Sequence, residues 1–254
     1  MGQSRFWKRN KGKAMVKKLG IICAGDDELA PFLEELEVSS TVEKAMLKFY
    51  EGKLCGFEVV ILLCGACKVN AAIATQILID SFHVNAVINA GTAGGMDPAL
   101  KIFDTVISTE VAYHDVEEEI LTEFHPWMKS VFFTADEKLL HYAKEAAAKI
   151  STTSTTSAKG KIYFGRMVTG EAFITDDGRH QIIDKFNPLS VDMETGSIAH
   201  VCYVNKIPFI SIRTVTDTAE HSGSRTFEEN LKEASEIAKD VSKAVLLEMR
   251  KDIM

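Results

Sequence analysis

Apolar and polar residues alternate along this chain in blocks that predict strands and helices in turn. Short continuous apolar runs, which are typical of buried strands, occupy residues 19–24, 57–63 and 208–216. Apolar residues recur at helical spacing over residues 69–82, and residues 136–150 form an alanine-rich helical pattern. Strands that alternate with helices predict an α/β fold, here a single domain whose mixed, mostly parallel central sheet is flanked by helices.

The same patterns predict the remaining elements. Residues 49–54 and 57–63 flank Cys55 and Gly56, an arrangement that is typical of a β-hairpin. The polar stretch at 151–161 predicts a surface loop inside the domain. Further strands are predicted at residues 86–90, 104–112, 162–169 and 190–192, and further helices at 194–205 and 227–249.

The residues that could bind or react with a ligand lie where the predicted strands end. In α/β folds, ligands bind beyond the carboxyl ends of the strands. We therefore expect one crevice to collect residues that are spread along most of the chain. The groups are residues 25–28, 91–95, 170–174, 192–194 and Asp217.

The composition is that of a globular protein. The 254 residues are 46% hydrophobic and 26% charged, which excludes a disordered chain. No apolar run approaches the roughly 20 residues that span a bilayer, so a membrane protein is not expected. Five cysteines are an odd number for a disulfide framework and favour a reducing compartment, the cytoplasm.

The net charge of −7 conceals a basic N-terminal segment. Residues 1–18 hold seven of the 29 basic residues and no acid, which leaves 22 basic against 36 acidic residues in the rest. The excess of acidic residues outside residues 1–18 argues against nucleic acid as the main ligand. The segment lacks the apolar core of a secretory signal. We interpret residues 1–18 as a disordered tail before a domain at 19–254; the alternatives are a nucleic-acid or membrane-surface arm, or a true start at Met15.

A glycine cluster follows the predicted strand at 86–90. Glycines at positions 91, 94 and 95 would let backbone N–H groups approach a ligand closely. No Gly-Lys-Ser/Thr follows, so the cluster is not a Walker loop, and its spacing does not fit a dinucleotide fingerprint. A simple tight turn is the alternative interpretation.

Several acids stand at predicted strand ends. One acid before a helix commonly serves only as a capping charge, whereas Asp192 and Glu194 around Met193 suit a site that grips vicinal hydroxyls. Asp217 closes an apolar strand that contains Arg213, so it is either half of a buried ion pair or a carboxyl with a tuned proton.

Other candidates are weak when taken singly. Glu28 alone is typical of a solvated charge at a helix start. Phe173 and Ile174 could be core residues, or the ring of Phe173 could stack on a flat ligand. Cys64 and Cys67 have CxxC spacing without a second pair, and no histidines show ligand spacing, so no metal is expected.

Five segments in this order together resemble the nucleoside phosphorylase/hydrolase superfamily. The similarity is greatest to its nucleosidases for 5′-methylthioadenosine and S-adenosylhomocysteine, and it runs from about Leu19 to near the C-terminus. It implies hydrolysis of the N-glycosidic bond of 5′-substituted adenosines without a cofactor. The segments are IICAGDDE (21–28), INAGTAGG (88–95), TGEAFI (169–174), VDMETGSIAHVC (191–202) and IRTVTD (212–217).

The resemblance implies roles for the charged residues. Glu28 matches the general base that activates water, and Asp217 matches the acid that hydrogen-bonds purine N7. Glu194 and Met193 match the residues that hold the ribose hydroxyls and the ribose face. Arg213 matches an arginine beside the site.

It also implies how the base would be held. Phe173 matches the ring that stacks on the purine, and the backbone of Ile174 matches the group that reads the adenine edge. Thr92, Ala93 and Gly94 match a glycine turn near the ribose and the base, where Thr92 stands in place of a serine.

A phosphate-dependent purine nucleoside phosphorylase is the main alternative. Phosphate needs cationic groups, and the superfamily's hexameric phosphorylases place one arginine in the first loop and another beside the glycine turn. Here the loop predicted at 25–31 has neither Arg nor Lys, and Asn89 stands near the second position. Water is therefore favoured as the nucleophile. A nucleoside sensor without activity would not need both Glu28 and Asp217.

The part of the site that would hold the 5′-substituent is the least defined. Related nucleosidases are homodimers that borrow residues for this pocket, so the resemblance implies a homodimer. The segment 116–133 does not match the usual loop, but its Phe124, Pro126 or Trp127 could serve a neighbouring subunit. Cys64 and Cys67 replace smaller residues of the family's Ser-Gly-Ile-Gly-Lys turn.

Overall fold

The computed structural model describes residues 16–152, 160–175, 178–221 and 223–252. The basic residues 1–15 and most of the predicted loop at 151–161 lie outside this description. Among the described residues the strands are β1 (Lys18–Cys23), β2 (Glu37–Lys44), β3 (Leu47–Leu54), β4 (Phe57–Leu63), β5 (Ala86–Gly95), β6 (Thr105–Tyr113), β7 (Phe133–Thr134), β8 (Ile162–Thr169), β9 (Ser190–Asp192) and β10 (Phe209–Asp217).

The helices alternate with these strands along the chain. Those predicted near residues 69–82, 136–150, 194–205 and 227–249 are confirmed. The loop predicted at 25–31 is wrong, because this segment forms most of a helix with Pro31 inside it. In the described ranges the helices are α1 (Asp26–Leu33), α2 (Lys68–Phe82), α3 (Glu118–Glu123), α4 (Glu137–Thr152), α5 (Arg179–Phe186), α6 (Thr195–Asn205) and α7 (Ser224–Lys251).

The strands form one mixed sheet in the order β10-β6-β8-β9-β5-β1-β4-β3-β2, with β7 beside β6. Strand β5 also pairs with β10, so β10, β6, β8, β9 and β5 close on themselves while β1, β4, β3 and β2 extend the sheet outward. β1 runs parallel to β4 and β5, and β5 runs parallel to β10. The predicted α/β class and the hairpin of β3 and β4 are confirmed.

Strand β5 changes its neighbour halfway along. One edge pairs with β10 over almost its whole length. The other edge pairs with β1 as far as Asn89, and with β9 only at Gly94 and Gly95. The glycine cluster at 91–95 is therefore part of a strand, and its alternative interpretation as a simple tight turn is wrong. None of the described strands lies beside residues 90–93 on this second edge, so their outward backbone groups need other partners.

Both faces of the sheet are covered by helices. Ile21 packs into the layer formed with α1, α4 and α7, whereas Ile22 faces the layer formed with α2 and α6. Strands buried on both faces explain the continuous apolar runs in the sequence. None of the described helices has the length and apolar character needed to cross a membrane.

Candidate active site

A cavity of about 260 Å³ opens where β1, β5 and β10 end. It is lined from segments that lie far apart in sequence, as expected for the carboxyl ends of neighbouring strands. The structure brings together all ten residues predicted for the site. They are Glu28, Thr92, Ala93, Gly94, Phe173, Ile174, Met193, Glu194, Arg213 and Asp217.

Glu28 occupies the uncovered edge of β5. Its Oε1 accepts hydrogen bonds from the backbone N–H of Thr92 at 2.7 Å and from the Thr92 hydroxyl at 2.8 Å. Its Oε2 accepts one from the backbone N–H of Ala24 at 2.6 Å. A carboxylate has about four acceptor positions, so one remains for a further donor such as water. The Thr92 hydroxyl thus holds Glu28, a role that the sequence did not indicate.

Arg213 lies between three carboxylates. It is 1% exposed, and its guanidinium nitrogens lie 3.3 Å from Glu194 Oε2, 3.6 Å from Glu28 Oε1 and 3.6 Å from Asp192 Oδ2. Burial acts to lower the pKa of Arg213, but the three carboxylates outweigh it and the net shift is upward. The cation is therefore fully engaged by the protein.

Glu194 stands at the start of α6, on the other side of Arg213. Its Oε1 accepts a hydrogen bond from the backbone N–H of Cys67 at 2.9 Å. Burial raises the pKa of Glu194 to about 7, with Arg213 opposing the shift and Asp192 adding to it. Lone pairs on both of its oxygens remain free for hydroxyl donors.

The carboxylate of Asp192 accepts hydrogen bonds from neighbouring groups of the protein. Its Oδ1 accepts hydrogen bonds from the Thr169 hydroxyl at 2.7 Å and from the backbone N–H groups of Glu194 at 3.1 Å and Thr195 at 3.0 Å. Its Oδ2 accepts one from the Thr195 hydroxyl. These bonds hold the start of α6. Asp192 lines the cavity, but these bonds take most of its acceptor positions, whereas both oxygens of Glu194 keep lone pairs free.

Asp217 reaches the cavity through an irregularity in β10. Val215 pairs with Ala93 and Asp217 pairs with Gly94, so Thr216 is an extra residue that redirects the strand end. The Thr216 hydroxyl donates to Asp217 Oδ1 at 2.9 Å. Burial raises the pKa of Asp217, and the hydrogen bond from Thr216 and the charge of Arg179 oppose the shift only in part. The environment thus shifts the carboxyl toward its protonated form.

Aromatic side chains form the rim of the cavity. Phe173 is 43% exposed, and its ring centroid lies 6.0 Å from that of Phe227 at a steep interplanar angle. The carbonyl of Ile174 accepts a hydrogen bond from Arg179 at 3.4 Å. Phe227 and Leu231 come from the first turns of α7 and were not predicted as site residues. The short connection from Asp217 to the predicted helix at 227 was the signal that could have found them.

The cavity has little to offer an anion or a metal ion. Of the cavity-lining residues in the described chain, Arg213 alone carries a positive charge. Within the described ranges no group of three or more His, Cys, Asp or Glu side chains is placed to hold a metal ion. The chemistry available is that of two differently held carboxyls, one anchored by N–H and O–H donors and one whose pKa is raised by burial.

Comparison with known proteins places this site in context. A model of the phosphorylase superfamily matches residues 18–248. A curated protein of Exiguobacterium sp., named 5′-methylthioadenosine/S-adenosylhomocysteine nucleosidase, is 37% identical over 226 residues, which are 86% of this chain and 92% of the relative.

Two solved structures of nucleosidases with the same name are similar throughout. The enzyme from Colwellia psychrerythraea 34H, in complex with adenine, has a TM-score of 0.82 and 34% identity, covering 92% of this chain and 96% of its own. The enzyme from Neisseria meningitidis, in complex with methylthio-immucillin-A, has a TM-score of 0.82 and 31% identity, covering 91% and 99%.

Proposed function

This chain belongs to the phosphorylase superfamily, and from that membership and the cavity we propose that it hydrolyses 5′-methylthioadenosine and S-adenosylhomocysteine. The N-glycosidic bond is cut, and the products are adenine and the 5′-substituted ribose. The nucleosidases of the two solved structures and the curated relative carry these substrates in their names. The observation that carries the proposal is that Glu28 and Asp217 line one cavity in different electrostatic surroundings.

Asp217 is proposed as the acid that helps adenine to leave. An adenine anion is a poor leaving group, so a proton or a strong hydrogen bond at N7 lowers the barrier. Burial raises the pKa of Asp217, which shifts this carboxyl toward its protonated form. Its Oδ2 accepts no hydrogen bond from the described residues, whereas Oδ1 is held by Thr216.

Glu28 is proposed as the base that takes a proton from the attacking water. The three N–H and O–H donors around it hold its carboxylate and fix its direction. As the C1′–N9 bond breaks, positive charge develops on the ribose, and a carboxylate beside it stabilises that charge. Two separate carboxyls in acid and base roles are the arrangement of inverting glycosidases.

The rest of the cavity suits a nucleoside. Glu194 is proposed to accept hydrogen bonds from the ribose hydroxyls, with Met193 against the ribose face. Phe173 at the rim is proposed to stack on adenine, and the Ile174 backbone to read its edge. Thr92, Ala93 and Gly94 border the same space from β5.

Hydrolysis is favoured over phosphorolysis by the charge balance. Arg213, the cation among the described lining residues, is already shared by three carboxylates. A phosphate ion would also meet Asp26, Asp27 and Glu28 at the same wall. Water meets no such repulsion.

Release of adenine from methylthioadenosine in phosphate-free buffer tests the activity. We expect full turnover without phosphate and 5-methylthioribose as the second product. Activity that appears only when inorganic phosphate is added, with a sugar phosphate as product, would contradict hydrolysis. Binding of the nucleoside without any turnover would contradict an enzymatic function.

We also propose that the protein is a homodimer. Large apolar side chains are exposed on α2 at Val69 and Ile73, after α3 at Phe124 and Trp127, and on α6 at Tyr203. Exposed apolar side chains of this size are common at interfaces between subunits. Light scattering after gel filtration should give twice the chain mass, and a mass equal to one chain would contradict a dimer.

A cytoplasmic location is also proposed. The five cysteines are all free in the described structure, which suits a reducing cytoplasm. We propose that residues 1–14 have no part in catalysis, because β1 begins at Lys18 and the cavity is lined from Ala24 onward. A variant without residues 1–14 should keep wild-type kcat/KM, and a large loss would give the basic segment a function. Nucleic acid is not proposed as a ligand.

A further inference from the structure

Beneath the cavity lies a polar side chain to which the proposed chemistry gives no role. Asn89, in β5, is fully buried. Its Nδ2 donates to the backbone carbonyl of Ile22 at 3.0 Å, and its Oδ1 accepts from Arg213 Nε at 3.1 Å. A flipped amide would set an NH₂ group against the guanidinium and an oxygen against a carbonyl. The hydrogen bonds therefore fix the orientation of the amide.

The Oδ1 atom of Asn89 has a defined set of donors. The hydroxyls of Ser211 and Thr195 lie 3.1 Å and 2.8 Å away. Thr195 has one hydroxyl proton, and this hydroxyl also contacts the carboxylate of Asp192, which is the stronger acceptor. Ser211 and Arg213 are then left to fill the two lone pairs of the amide oxygen.

Two bonds hold the plane of the Arg213 guanidinium. Nε donates to Asn89, and Nη1 donates to the backbone carbonyl of Thr92 at 3.0 Å. With these in place, Nη1 faces Glu28 Oε1 and Nη2 faces Glu194 Oε2. Each carboxylate thus meets a different corner of one planar fork.

We propose that Asn89 is a positioning residue that divides the guanidinium of Arg213 between Glu28 and Glu194. The inference rests on the proposed hydrolysis, in which these acids serve as the base and as the ribose ligand. An unheld guanidinium would turn to form a bidentate pair with one carboxylate, which is its preferred geometry. The other acid would then lose its counter-charge and its direction.

The ionisable groups around Arg213 are few. The carboxylates are Glu28 on α1, Asp192 at the end of β9 and Glu194 at the start of α6. The thiols of Cys23, at the end of β1, and Cys64, just after β4, face it, and burial raises the pKa of both, so both stay neutral. One cation therefore balances three carboxylates, and a new charge at position 89 must act on them.

Two variants of Asn89 test the proposal in the adenine-release assay. Asn89→Asp has the same shape and adds a negative charge beside Arg213, which further favours protonation of Glu194. We expect the acidic limb of its kcat/KM profile to move up by about half a pH unit or more. Asn89→Ser removes the acceptor for Nε, and we expect kcat/KM to fall about tenfold to a hundredfold, as for other misplaced catalytic groups.

Thr105→Val is the matched control. It removes a buried hydroxyl that bonds to the Thr214 hydroxyl at 2.9 Å and lies outside the cavity lining. We expect its kcat/KM to stay within about twofold of wild type. An Asn89→Asp profile that coincides with wild type, or an Asn89→Ser loss no larger than that of the control, would make Asn89 a structural residue and overturn the proposal.

The outcome is separate from that of the proposed function. If the wild-type protein releases no adenine, the hydrolysis is wrong. If the wild type is active and folded Asn89 variants behave like the control, the positioning role of Asn89 is wrong and the proposed hydrolysis stands. Should Asn89→Asp fail to fold, the comparison of Asn89→Ser with Thr105→Val at equal folded fraction decides the matter.

Discussion

The carboxylate of Glu28 fills the space that a side chain on Gly91 would need. A Cβ atom at position 91 would lie 2.4 Å from the carboxylate carbon of Glu28. The glycine is therefore required by the acid that approaches β5 from α1, since the strand here is extended and makes no turn.

Gly91→Ala should displace Glu28 and slow the reaction. We expect kcat to fall about a hundredfold, because a shift of roughly 1 Å in a catalytic group has that effect. Binding of adenine should change little, because Asp217 and Phe173 are untouched. Steady-state kinetics and calorimetric titration with adenine measure the two effects. Wild-type kcat in a folded Gly91→Ala protein would remove Glu28 from the mechanism.

Asp217→Asn should keep substrate binding and lose turnover. Asparagine has the same shape and can still accept the hydrogen bond from Thr216, but it has no proton of suitable acidity to give. We expect kcat to fall by about 10²–10⁴-fold with KM within a few fold of wild type. Turnover at the wild-type rate would show that adenine leaves without help from Asp217.

The stability of the fold should depend on pH through Glu194. Burial raises its folded-state pKa to about 7, above the ordinary value of 4.5. The contribution of Glu194 to stability is fully present when the pH is below its unfolded-state pKa, and it is lost as the pH rises through its folded-state pKa of about 7. Between about pH 4 and pH 8 the wild type should lose roughly 3 kcal/mol of unfolding free energy relative to Glu194→Gln. An equal difference in unfolding free energy between the two proteins at pH 4 and pH 8, measured by urea denaturation, would contradict this.

Cys67 holds a backbone conformation that suits glycine. Its φ of 78° and ψ of 164° lie in a region that other residues occupy at a cost of about 1–3 kcal/mol. Glycine also has more conformational freedom in the unfolded chain, which offsets part of this relief. Cys67→Gly should therefore stabilise the protein by about 1 kcal/mol. Activity should persist, because the N–H that binds Glu194 remains.

Cys67→Ala is the control for this change, since alanine removes the thiol and keeps the strained backbone. Its unfolding free energy in urea should not rise. Equal stability of the glycine and alanine variants would show that the strain at position 67 is negligible.

The sequence was informative where burial imposes a pattern. The runs that contain Ile21 and Ile61 became strands because both faces of the sheet are covered there. Strand β2 escaped prediction because all eight of its residues are exposed, and polar EVSSTVEK shows no apolar alternation. It exists because β3 offers a free edge to pair with.

The site could be assembled from the sequence, but its hydrogen bonds could not. Strand ends and the family resemblance brought Glu28 and Asp217 into one crevice. The roles of the Thr92 hydroxyl and of Asp192 were not predictable, since they depend on where β1 stops beside β5 and how α6 begins. Such distances are set by tertiary contacts that no local pattern records.

The uncovered stretch of β5 anchors the proposed base, Glu28, to a strand of the central sheet. A loop can open while the domain stays folded, but a strand bound along its other edge by β10 opens only with the core. The Thr92 amide proton should exchange with deuterium as slowly as those of the central strands. On heating, the proposed base Glu28 should therefore stay bound to β5 until the domain unfolds, and activity should be lost only at the unfolding temperature.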